Sequence, residues 1–135
     1  KLYEERYVFI APKALIISKE KEITWVEVAQ IPLCLLTPNM KNRQLIDEHF
    51  LDLEISPKIV TEASDFTAVL AQVAGGNAAT IAPVSVAETF LDLKSTIQLD
   101  LTHPVMTHSV GLSIKDQSPA LPMIEALRRA VHLAL

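Results

Sequence analysis

Residues 58–87 read KIVTEASDFTAVLAQVAGGNAATIAPVSVA, and the way this stretch divides decides the fold. Its first part belongs to a β-rich run over 56–64 that Pro57 opens. Phe66, Val69, Leu70 and Val73 then recur at i, i+3, i+4 and i+7, the spacing of one helical face. Ser64 or Asp65 supplies a side-chain oxygen for an orphan backbone N–H at the helix start. Gly75–Gly76 ends the helix, with Gly75 the expected left-handed residue. Residues 78–83 form a short buried strand, and 84–93 are helical again. Paired glycines can also cradle a phosphate, but that loop follows a strand and precedes a helix. Here the order is helix, glycines, strand, and no Gly-Lys-Ser/Thr follows, so the glycines are a turn.

Outward from this stretch the same alternation continues. RYVFIA (6–11) is a strand closed by Pro12, and LIIS (15–18) extends toward the charged turn 19–22. ITWVEVAQ (23–30) makes one or two helical turns, with Thr24 as N-cap and Glu27 three residues on. IPLCLL (31–36) is a continuous apolar run of strand length, the pattern of a strand buried on both faces. Leu45, Ile46, His49, Phe50 and Leu53 share one helical face. Further strands are expected at 96–101 and 108–115. A last helix, started by Ser118 and Pro119, carries an apolar face of Met123, Ile124, Leu127, Ala130 and Val131. Alternating strands and helices of these lengths predict a parallel α/β sheet.

Composition narrows the class. Of 135 residues, 50% are hydrophobic and 21% charged, enough to build a core. The net charge is −4, and no Lys/Arg cluster overrides it, which disfavours direct duplex binding. One cysteine, Cys34, excludes a disulfide framework and points to a reducing, cytoplasmic setting. No apolar run reaches membrane-spanning length. The start, KLYEERY, leads straight into a strand and reads as the middle of a domain.

Candidate chemistry is sparse. His49, His103, His108 and His132 form no HxxxH or HxH pattern, so no metal or cofactor is expected. Cys34 lies mid-strand, there is no GxSxG, and no catalytic residue is assigned. Two polar segments fall at strand C-terminal ends: Thr37-Pro38-Asn39 and Ser64-Asp65-Phe66. In open α/β sheets ligands bind outside the carboxyl ends of strands, near helix N-termini. Ordinary helix capping explains any one of these residues, but the two segments together mark the natural pocket.

The order of these features resembles the effector-binding domain of LysR-type transcriptional regulators. The family's helix-and-strand signature, "l..lVaaG.Gia.lP", is matched by Val69, Leu70, Val73, Ala74, Gly75, Ala79, Ile81 and Pro83. Upstream, Ile23, Thr24, Val28 and Pro32 match "it…el…p.il", and HSVGLSIKDQSPALPMIEAL resembles the return strand and C-terminal helix. The resemblance spans nearly the whole chain. Its departures are the GxG, which reads Gly75-Gly76-Asn77-Ala78, and a missing winged helix-turn-helix and opening half-subdomain.

The resemblance implies a type II periplasmic-binding-protein-like α/β fold of two subdomains. Residues 31–106 would be the complete second subdomain, and 1–30 with 107–135 part of the first. The crossovers would fall at Gln30, Ile31 and Pro32 and at Met106, Thr107 and His108. It implies a small-molecule effector, an organic acid or an amino acid, bound by Thr37, Pro38, Asn39, Ser64, Asp65 and Phe66, with Thr61 and Pro83 on the floor. Asp65 suits an anionic effector only if its carboxylate is engaged in capping. The intact regulator would be a homodimer or homotetramer, contacting DNA only through its absent N-terminal domain and no membrane. A solute-binding protein of a transport system has the same two-lobed fold and is the alternative. A small α/β enzyme would instead need a perturbed carboxylate or histidine in the pocket.

Overall fold

Tyr3–Pro12 forms a ten-residue strand, β1, in which every residue from Tyr7 onward is buried. This appears in a computed structural model that describes residues 1–16, 19–90, 94–114 and 121–134. A 3₁₀ turn at Lys13–Leu15 follows, then β2 (Glu22–Thr24), α1 (Trp25–Val28), β3 (Leu33–Leu36), α2 (Lys41–Asp52), β4 (Ile59–Ala63) and α3 (Phe66–Ala74). The chain continues through β5 (Thr80–Pro83), α4 (Val84–Phe90), β6 (Thr96–Thr102), β7 (Thr107–Val110) and α5 (Pro122–Ala134). The expected Ser118–Pro119 helix start lies outside the described residues, as do the last three residues of the expected helix 84–93 and Lys115 of the expected strand 108–115.

The chain divides into two compact units, Arg6–Thr107 and Lys1–Glu5 with His108–Leu135. It therefore passes between units at Glu5/Arg6 and at Thr107/His108. Gln30–Pro32, where a crossover was expected, lies inside the larger unit. The reason is local. The N–H groups of Gln30 and Ile31 donate to the Glu27 and Val28 carbonyls, the Pro32 carbonyl accepts from Ala79, and Ile31 packs on the main core.

In the larger unit the strands form two sheets and run both ways, which corrects the parallel-sheet expectation. β3 and β4 form a two-stranded parallel sheet, Leu33 opposite Ile59 and Leu36 opposite Ala63, and an isolated parallel bridge from Leu33 to Ala79, the residue before β5, links it to the other sheet. β1 runs antiparallel to both β5 and β6, with Phe9 opposite Ile81 and Leu99. β2 pairs parallel to β6. Strand spacing along the chain cannot reveal β1's direction, because β1 comes first and joins β5 only through residues some seventy positions on.

Side chains of β1 alternate between two apolar clusters. Tyr7, Phe9 and Ala11 face one with Trp25, Ile46 and Phe50; Val8 and Ile10 face another with Val73 and Ala87. β3 divides likewise: Leu33 and Leu35 join the first cluster, while Cys34 and Leu36 pack with Val69. The run at 31–36 is continuously apolar because helices cover the sheet on both sides. Trp25, the one tryptophan, donates from its indole N–H to the Pro104 carbonyl at 2.9 Å and meets the Phe50 ring edge-on at 5.0 Å.

In the smaller unit Leu2, just before β1, donates its N–H to the Val110 carbonyl of β7 at 2.8 Å, and the Ser109 hydroxyl donates to Glu4. α5 is amphipathic, but Met123 and Leu127 of its expected apolar face are 75% and 45% exposed. Among the described residues no helix is long and apolar enough to cross a membrane.

Two local readings acquire geometry. Thr24 and Glu27 form a capping box: Thr24 N–H donates to the Glu27 carboxylate at 2.8 Å, and Glu27 N–H to the Thr24 hydroxyl at 3.4 Å. The glycine turn shifts by one residue from expectation. Gly75 stays right-handed at φ −68°, and Gly76, at φ +86°, takes the left-handed position and donates its N–H to the Val73 carbonyl. The helix runs one residue further than its last apolar position suggests, because Ala74 and Gly75 still find carbonyl acceptors in it.

Gly76→Ala should therefore destabilise the chain by about 1–2 kcal/mol, the cost of an L side chain in the left-handed region. Gly75→Ala should be neutral or mildly stabilising, since its Cβ would meet nothing nearer than two carbonyl oxygens at 3.4 Å and Asn77 Nδ2 at 3.8 Å. Urea denaturation of the two variants tests this, and equal effects would refute the assignment. The Thr24 backbone and side-chain bonds hold the Glu27 carboxyl below its ordinary range. A depressed native value adds stability above the unfolded pKa that is lost as pH falls through the native one. Glu27→Gln should therefore lower stability at neutral pH, and the gap from wild type should close in acid.

Candidate functional site

β3 and β4 end side by side, at Leu36 and Ala63, and β5 ends at Pro83. All three run the same way, so the chain leaves their carboxyl ends along one edge of the sheet. α2 and α3 begin there. Thr37 N–H donates to the Ala63 carbonyl at 3.0 Å, which brings the two expected loop segments together. The Thr37 carbonyl then accepts from Met40 N–H at 3.0 Å, closing a turn that leaves Pro38 and Asn39 exposed.

The other expected residues fall into distinct places. Ser64 is exposed beside Ala63. Asp65 caps α3, its Oδ1 accepting Ala68 N–H at 2.9 Å. Its carboxylate is thus engaged with the helix start, where negative charge is stabilised. Phe66 is half-buried and packs into two apolar clusters, so most of the ring belongs to the core. Thr61 is exposed, opposite Cys34 and two residues short of the edge. Pro83 is buried opposite Tyr7 and reaches the edge only as backbone support.

Residues that the sequence reading passed over also meet at this edge. Met40 precedes α2 without any side-chain cap, so the first N–H groups of that helix have no side-chain acceptor. The Tyr7 hydroxyl donates to Asn42 Oδ1 at 2.5 Å, tying β1 to the first turn of α2. Arg43, only 7% exposed, donates from Nε to both Asp47 oxygens at 2.8 and 2.9 Å, and from Nη1 to the Leu36 carbonyl and to Glu62, each at 2.7 Å. Burial alone would lower the Arg43 pKa, but the bonds to Glu62 and Asp47 outweigh it and raise the value. A cation in the first turn of a helix opposes the helix dipole, and this was the available sequence signal for an unusual role.

Chemically this edge offers backbone and hydroxyl donors around a guanidinium already matched by two carboxylates. Burial pushes the Cys34 thiol up, which keeps it protonated and unreactive. His49 lies against Trp25, ring centroids 4.8 Å apart, with Nε2 buried and without a hydrogen bond. Among the described residues no group of three His, Cys, Asp or Glu side chains could hold a metal ion.

Residues 1–134 match the LysR substrate binding domain family. No curated protein matches the chain. Among solved structures, the fold is similar to the effector binding domain of QuiR in complex with shikimate, with a TM-score of 0.73 and 20% identity over 96% of this chain and 61% of that one. It is similar to the regulatory domain of CcmR from Synechocystis PCC6803 in complex with 2-PG, with a TM-score of 0.76 and 11% identity over 98% and 64%. The reduced form of OxyR gives a TM-score of 0.77 and 16% identity over 98% and 61%. This chain thus spans less than two thirds of each, and the shared feature is the type II periplasmic-binding-protein-like fold.

If Asp65 serves as a cap, Asp65→Ala should cost about 1 kcal/mol of stability, and Asp65→Asn much less. Thermal or chemical denaturation distinguishes them; equal losses would indicate that the side chain does something else.

Proposed function

Because this chain belongs to the LysR substrate binding domain family, we propose that it is part of the ligand-sensing module of a transcriptional regulator, and that its ligand meets the edge built by Thr37–Asn39 and Ser64–Phe66. The observation that carries this reading is the Thr37–Ala63 hydrogen bond, which joins the two loops beside the start of two helices. Helix starts present N–H groups and the positive end of the dipole, and suit a carboxylate or another polar acceptor. Small organic acids and amino acids fit that donor set. With Asp65 engaged in capping, its charge no longer argues against an anionic ligand. Thr61 and Pro83 act behind the contact surface, through strand spacing and support.

The family assignment favours this reading over a solute-binding protein of a transport system. In the intact regulator the sensing module works from the cytoplasm, as a homodimer or homotetramer, and acts on DNA through a separate N-terminal domain. Met106, Thr107 and His108, at one passage between units, serve as a hinge. A ligand shifts such an equilibrium only by binding one arrangement better than the other. The module binds and does not catalyse.

Shikimate, other small organic acids and amino acids should be screened against the chain by thermal shift, since a ligand of the native state raises Tm. Amide chemical shifts should then move mainly at Thr37–Asn39 and Ser64–Phe66. Thr37→Trp or Ser64→Trp should abolish binding without unfolding the chain. Unchanged affinity in both variants would overturn the site.

A further inference from the structure

We infer that Arg43 is a positioning residue, which fixes the two loops of the sheet edge as one body without itself meeting the ligand. The inference rests on the reading that these loops meet the effector. Its starting point is an anomaly of placement. Arginine is rarely buried, and a cation in a first helical turn weakens the helix. Arg43 is 7% exposed and is the third residue of α2, whose first turn holds no acidic residue. Neither burial nor helix formation explains it, so its partners must.

Those partners define one peptide group. The Leu36 carbonyl and the Thr37 N–H belong to the same planar unit. Arg43 Nη1 donates to that carbonyl at 2.7 Å, and that N–H donates to the Ala63 carbonyl at 3.0 Å. The plane from which Thr37 projects is thus gripped on one side by α2 and on the other by β4. The Ala63 carbonyl in turn belongs to the peptide leading into Ser64, so the second loop is tied to the same plane. Arg43 closes the circuit through Glu62 in β4, and Asp47 aligns the guanidinium from one helical turn on.

Charge excludes the other role an arginine at such an edge invites. Two carboxylates face one guanidinium, so it is not a free receptor for an anionic ligand. Its effect is to set the loops before a ligand arrives, which removes an ordering cost from binding.

Amide hydrogen exchange on the ligand-free chain tests this with Arg43→Met and Arg43→Lys. The reference is Ala79 N–H, which bonds to the Pro32 carbonyl just before β3, at the other end of that strand from Leu36. In Arg43→Met, Thr37 exchange should accelerate about ten-fold or more relative to Ala79, the mark of local opening. The urea midpoint should move little, because Asp47 and Glu62 are 42% and 40% exposed and regain water when the guanidinium is gone. Arg43→Lys should lie between, since an ammonium lacks the planar fork that holds carbonyl and carboxylates together. Equal acceleration at Thr37 and Ala79 would show a merely global loss of stability and overturn the assignment, as would an unchanged Thr37. If Arg43→Met fails to fold, the same ratio measured in Arg43→Lys decides. A small-molecule screen without hits would count against the ligand reading and leave this ratio untouched.

Discussion

Strand β1 lies between β5 and β6, with every residue from Tyr7 to Pro12 out of water. The larger unit depends on that burial. A strand flanked on both edges and covered on both faces must be apolar on both faces, so helices are needed above and below the sheet. Phe9 and Ile10, neighbours in sequence, face different clusters. Once α1 and α2 cover one face and α3 and α4 the other, the connections from β3 and β4 have to emerge at the carboxyl edge. The proposed site edge is a consequence of how the core is closed.

At that edge, local and long-range forces have separate tasks. Thr24 with Glu27, and Asp65 with Ala68, are caps made within a few residues, and each could be read from the residue types alone. The same holds for the glycine turn, where only the position of the left-handed residue moved, from Gly75 to Gly76. The Arg43 cluster is different. It joins residues 36, 43, 47 and 62, and only the Arg43–Asp47 pair lies within one helical turn. Periodicity does not announce it: Arg43 falls at i, with Ile46 at i+3 and Phe50 at i+7, on the buried face of α2 where the apolar pattern calls for another apolar residue.

The expected binding residues also divide on physical grounds. Thr37, Pro38, Asn39 and Ser64 remain at the accessible edge, since strand ends release polar backbone that must find water or a partner. Phe66 and Pro83 are drawn inward because apolar groups beside a core lower the free energy by leaving water. The Phe66 ring at the start of α3 packs against the clusters of Val8 with Val73 and of Cys34 with Val69. Asp65, a possible obstacle to an anion, is satisfied by the helix it starts.

The sequence alone determined what depends on near neighbours: the strand and helix periodicities, the caps, the turn and the absence of a phosphate loop. It also determined the two-sided burial of Leu33–Leu36 within IPLCLL, since a continuous apolar run admits no wet face. Only the tertiary structure decided the antiparallel course of β1, the passage between units at Glu5/Arg6, and the grip of Arg43 on the Leu36–Thr37 peptide. Each of those is set by hydrogen bonds or packing between residues far apart in the chain. Their energies depend on where the backbone returns, and spacing along the chain carries no record of that return.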